Sequence, residues 1–231
     1  MNAPASAPTQ HPDDIWDLFT VKTRYAPPEI TDPAHPARQY QLLEVVVARL
    51  MSLLRPEYRW EVTQVSGDGG IDFIGRCTLI ELPEFDLRGE DVVTGQCKRT
   101  RRRIHPGQVL GWNFLQVGSL LPSQVIVAYA GRASAAQRNE VVDRARNELR
   151  RPVIFLGLDE LDFLIRRHLP ALRRIIEEAL DEPDARRVLD HFAGSGPASL
   201  RPSCTVSAPD RGETGQPFEI VVEVRSEGIP L

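Results

Sequence analysis

Apolar positions recur along the chain with two different periods. Between 37 and 54 they fall at Leu43, Val46, Val47, Leu50 and Leu54, one face of an amphipathic helix, with Pro56 just past its end. Three short runs follow, at 58–65, 71–80 and 91–99, each rich in β-branched or aromatic residues and bounded by turn or acidic positions. They predict three consecutive strands, the second and third antiparallel.

Beyond His105 and Pro106 the pattern predicts a helix to about 117, a strand at 124–130, a helix at 134–150 and a strand at 152–157. Strands alternating with helices imply βαβ crossovers and some parallel pairing. Residues 158–191 read as helical, first through Leu161, Leu164, Ile165 and Leu169, then through Leu172, Ile175, Ile176 and Leu180. Together these elements predict an α/β fold over 37–192, a sandwich with a mixed sheet.

The ends differ from this middle. Residues 1–36 are rich in Pro, Ala and Asp and predict a loose N-terminal arm with a short helix near 13–20. Residues 193–203 form a Gly, Ser and Pro linker. Residues 204–231 alternate as the start of an all-β module and stop after two strands, too few to bury a core alone. The chain is therefore expected to be a piece of something longer, with further domains or an activator beyond residue 231.

Composition narrows the picture. At 231 residues, with 42% hydrophobic and 26% charged residues, the chain reads as an ordinary globular protein. A formal charge of -4 excludes a uniformly basic nucleic-acid binder, yet Arg99, Arg101, Arg102 and Arg103 make a local basic patch. Cys77, Cys97 and Cys204 have no metal-site spacing, which together with the lack of an export signal or an apolar span leads to the expectation of a reducing cytoplasm and no membrane. Lys22 and Lys98 are the only lysines among 28 basic residues. A chain that otherwise uses arginine keeps an ammonium at 98, a compact charge whose proton can be tuned.

Lys98 lies in "GQCKR", downstream of "SGDGGIDFIG". In an extended strand Gln96 and Lys98 share one face while Cys97 points into the other layer, and pairing with the preceding strand brings Asp72 to the same patch. These are parts for phosphodiester hydrolysis. Asp72 offers a hard oxygen ligand for Mg²⁺, with Mn²⁺ a possible substitute, and Gln96 a neutral carbonyl ligand. Lys98 would hold the attacking water and offset charge growing in the transition state. Gly67, Gly69 and Gly70 allow a tight turn and leave room for a nucleic-acid strand, whereas Asp68 reads as a turn residue. Arg99 and Arg101 to Arg103 would grip DNA phosphates. Gln116 is a weaker candidate for this face. Trp112 and Phe114 read as helix packing, and His105 and His168 as structural.

"GDGGID" followed by "GQCKR" resembles the Mrr-type branch of the PD-(D/E)xK nuclease superfamily. Mrr members commonly carry Gln in place of the second acidic residue. The resemblance extends through "VIVAYAGRASAAQRNEVVDRA" and "RPVIFLGLDELDFLI", about residues 38 to 168. It implies a restriction-endonuclease-like α/β/α sandwich, catalytic roles for Asp72, Gln96 and Lys98, and a metal-supporting role for Glu44 on the first helix. It also implies DNA as substrate and restriction or anti-phage defence. One such site cuts one strand, so a homodimer or higher assembly is expected when active. The competing expectation is a catalytically silent, nuclease-derived module that binds nucleic acid or regulates a larger assembly.

Overall fold

The apolar run after Gln41 folds as helix α1, Leu42–Leu54, closed at its start by a capping box in which Gln41 and Glu44 satisfy each other's backbone amides. A computed structural model describes residues 12–31, 39–63, 71–82, 87–100, 122–194, 202–207 and 221–226. The chain divides into two compact units, residues 1–193 and residues 194–231.

In the first unit α1 is more deeply enclosed than a one-faced pattern predicts. Leu42 through Ala48 are all buried, while Leu54, expected on the inward face, is exposed. The reason lies in the N-terminal segment. Residues 12–31 are not a loose arm: a 3-10 turn, Pro12–Thr20, and a second, Pro28–Ile30, place Ile15, Trp16, Phe19 and Ile30 in the same core cluster as α1. Burying one large side chain of this kind stabilises by about 1.5–3 kcal/mol, enough to overcome a segment's weak helical propensity. Strand β1 (Lys22–Thr23) then pairs with β2 (Tyr40–Gln41) immediately before α1.

Among the described residues the main sheet has five strands in sequential order: β3 (Arg59–Val62), β4 (Phe73–Leu82), β5 (Leu87–Arg99), β6 (Gln124–Ala130) and β7 (Val153–Leu156). β3, β4 and β5 are antiparallel neighbours, and β6 and β7 run parallel to β5. The acidic stretch at 81–91 is mostly ladder, with Glu81 facing Arg88 and Leu82 facing Leu87.

Alternate residues of β6 feed two clusters. Ile126, Ala128 and Ala130 join the larger core with α1, while Val125, Val127 and Tyr129 join a smaller one with Val141 of α2 (Ala135–Leu149). The larger core also takes in α3 (Leu158–Ala179) and α4 (Glu182–Ala193), where a single helical stretch was expected. The chain breaks at Leu180 and Asp181 because Asp181 Oδ1 accepts the Asp184 N–H at 3.0 Å, starting a new helix with Pro183 in its first turn.

In the second unit β8 (Pro202–Ser207) pairs antiparallel with β9 (Val221–Ser226). The helix expected near 106–117 lies outside the described residues. Among those described, no helix is long and apolar enough to cross a membrane.

Candidate active site

The site is organised by β5, the middle strand of the sheet. Val93 and Cys97 belong to the large core with α1, so the strand's alternation turns Thr94, Gln96 and Lys98 to the other face. In the register with β6, Gln96 lies beside Val127 and Lys98 beside Tyr129. Thr94 is fully buried, Gln96 partly exposed and Lys98 exposed.

Asp72 stands just before β4 and is 5% exposed. Its backbone N–H donates to Gly95 O at 2.9 Å and its own carbonyl accepts the Thr63 N–H at 2.9 Å. Its carboxylate Oδ2 accepts the Cys97 N–H at 2.6 Å. Asp72 thus holds β5 on both sides of Gln96, at the residue that separates Gln96 from Lys98. The close approach requires glycine at 95, because a Cβ there would lie 1.9 Å from Cζ of the buried Phe73 ring. "IDF" and "TGQ" are therefore matched in shape as well as in chemistry.

Glu44 is 8% exposed, and its Oε2 accepts the Gln41 N–H at 2.9 Å as half of the capping box. Part of the partner its burial demands is thus the start of its own helix. Burial first, and then the negative charges of Asp72 and Glu44, push the Cys97 thiol well above its ordinary range. The two carboxylates therefore act on one point of the strand, from the residue before β4 and from α1.

The buried oxygens Gln96 Oε1 and Thr94 Oγ1 have no hydrogen-bond partner among the described residues. Such orphans are uncommon in folded proteins, and each leaves an acceptor that water, an ion or a ligand can satisfy. The Lys98 side chain makes no hydrogen bond or ion pair with any described residue. An ammonium, a buried amide carbonyl and a buried carboxylate thus belong to three consecutive residues of β5 and the aspartate bonded to the middle one.

Arg99 departs from its expected role as a DNA contact. Its side chain is 6% exposed, its Nη1 donates to Thr100 O and Ala130 O, and its Nη2 pairs with Asp17. Arg101, Arg102, Arg103, Gly67, Asp68, Gly69, Gly70, Trp112, Phe114, Gln116 and His105 lie outside the described residues. His168 is on α3, where burial and then Arg167 depress its pKa, in keeping with a structural histidine. Thr94 went unnoticed in the sequence, although its place two residues before Gln96 was a usable signal.

The donors available for a cation are the carboxylates of Asp72 and Glu44 and the carbonyl of Gln96. All are hard oxygens of the kind Mg²⁺ takes, and the orphaned Gln96 oxygen fits that role. Among the described residues no three His, Cys, Asp or Glu side chains gather closely enough to hold a metal. A cation here would rest on these oxygens together with water and substrate phosphate.

No family model matches the chain, and no curated protein matches it. It is similar to a chain in the solved structure of the MspJI restriction endonuclease in complex with a 27-mer oligonucleotide, with a TM-score of 0.36 and 22% identity. The match covers 66% of this chain and 31% of that one.

Proposed function

We propose that the chain is a metal-dependent endonuclease domain that hydrolyses phosphodiester bonds in DNA, with the Mrr-like α/β/α architecture its motifs resemble and a role in restriction or anti-phage defence. The observation that carries this reading is the Asp72 carboxylate, bonded to the amide between Gln96 and Lys98, beside a buried Gln96 oxygen that no described residue satisfies.

Asp72 and Gln96, with Glu44 behind them, would hold Mg²⁺. When bound, the ion supplies Lewis-acid polarisation of the phosphate and lowers the pKa of water. Lys98 holds the attacking water by a hydrogen bond and sets a positive charge against the charge that builds on the phosphoryl oxygens. Its exposure leaves the ammonium accessible to a strand lying over β5. Arg101 to Arg103 grip the flanking phosphates, and two copies of the domain give a double-strand cut.

Cleavage of supercoiled plasmid by the purified chain, in Mg²⁺, Mn²⁺ or EDTA, tests the reading beside Lys98→Ala and Asp72→Ala. Metal-dependent nicking lost in both variants supports it. Persistent nicking in either variant, or none in the wild type at any protein concentration, refutes it.

A silent binding module is favoured by one observation, that the Glu44 carboxylate is already engaged by the Gln41 amide. It predicts salt-sensitive DNA binding with no cleavage to lose.

A further inference from the structure

We infer that Asp17 and Arg99 are positioning residues: their ion pair latches the N-terminal segment onto the end of β5 and so fixes the base of Lys98. What Lys98 does rests on the phosphodiesterase reading, whereas the latch itself stands on geometry alone.

The parallel ladder between β5 and β6 ends at Arg99 and Ala130. The next amide, Thr100 N–H, reaches Ala130 O only at 3.4 Å. A strand end held by one long bond opens easily, and Lys98 lies one residue from it. The Arg99 side chain closes this end. Nη1 donates to Thr100 O at 2.9 Å and to Ala130 O at 2.8 Å, tying both strands across the last rung, while Nη2 pairs with Asp17 Oδ1 at 3.2 Å. A planar fork can make these bonds at once and a lysine cannot.

Asp17 is itself anchored. The Thr20 hydroxyl donates to Asp17 O at 2.7 Å, and the neighbouring Trp16 and Phe19 rings meet Phe192 of α4 edge to face at 5.7 and 6.0 Å. Two segments distant in sequence, at Asp17 and Ala130, thus converge on the residue after Lys98. Alternation places Arg99 on the face opposite Lys98, so a guanidinium in this latch does not reach a phosphate over Lys98. With no side-chain partner for Lys98 among the described residues, the backbone beneath it sets where the ammonium starts.

The test uses the full chain as wild type, Asp17→Asn and Arg99→Lys. The asparagine keeps an acceptor at 17 without the charge, and the lysine keeps the charge at 99 without the fork. Hydrogen exchange at the Lys98, Arg99 and Thr100 amides is expected to accelerate about tenfold or more in both variants, with α1 unchanged. Plasmid turnover is expected to fall about tenfold or more at unchanged DNA affinity, with no rescue by lysine. Unchanged exchange at those amides overturns the inference, as does full activity of Arg99→Lys, which a plain phosphate contact would retain. If the wild type cuts no DNA, the phosphodiesterase reading fails and exchange alone decides the latch.

Discussion

The Asp72 carboxylate accepts the Cys97 backbone N–H at 2.6 Å, so an acidic side chain from the start of β4 terminates on the peptide between Gln96 and Lys98. This bond fixes the spacing of the candidate site. It also separates two jobs of one residue, since an amide needs only an acceptor whereas a cation needs the charge.

Asp72→Asn and Asp72→Ala should therefore part company. Asparagine can still accept from Cys97, and its unfolding free energy should stay close to wild type. Alanine strands a buried amide and should lose about 1–3 kcal/mol. Both should abolish metal-dependent nicking. Denaturant unfolding run beside the plasmid assay checks this, and an asparagine variant that cuts normally would remove Asp72 from the chemistry.

Gly95 is the position least able to accept a side chain. Alanine there drives a methyl into the Phe73 ring and should cost about 1–3 kcal/mol, while displacing the strand that carries Gln96. Thermal unfolding of Gly95→Ala should show the loss. Combining it with Phe73→Leu, which thins the obstructing ring, should cost less than the two single losses added together.

Much of this arrangement was legible in the sequence because it depends on neighbours. Strand 124–130 was read with its observed bounds, and Gln96, Cys97 and Lys98 alternate as any strand must. The pairing beside Asp72 was legible because β3, β4 and β5 follow one another in the sequence and pair as antiparallel neighbours. Arg99 was misread for the opposite reason: its partner Asp17 is 82 positions away and carries no local signal. The same holds for residues 12–31, whose order comes from Trp16 and Phe19 meeting Phe192. The break at Leu180 was readable, since Asp181 and Pro183 are a helix start.

Cys97 links the site to pH. Its folded pKa lies above the ordinary 9.0, so the native state keeps a proton that the unfolded chain releases as pH rises past that value. The stability contribution is complete below about pH 9 and declines above it, with a slope approaching about 1.4 kcal/mol per pH unit. Guanidinium melts between pH 8 and 10 should show this decline in the wild type and a flatter one in Cys97→Ala. Tyr58 and Tyr129, also raised from an ordinary 10.0, act at higher pH. Equal slopes in the two proteins would contradict the thiol's environment.

Gln96 and Lys98 should show opposite balances of stability and activity. Lys98 is exposed, so Lys98→Ala should leave unfolding within about 0.5 kcal/mol of wild type while ending cleavage. Gln96 holds a buried oxygen with no partner among the described residues, which is a cost the fold carries. Replacing it with methionine, similar in length and without the amide, removes that cost and should raise stability by about 1 kcal/mol. The same change deletes the carbonyl expected on the metal, so nicking in Mg²⁺ should vanish. A Gln96→Met protein that is both more stable and inactive would identify the orphaned oxygen as a feature kept for function. One that is less stable, or that still cuts DNA, would show that its place in the sheet is structural.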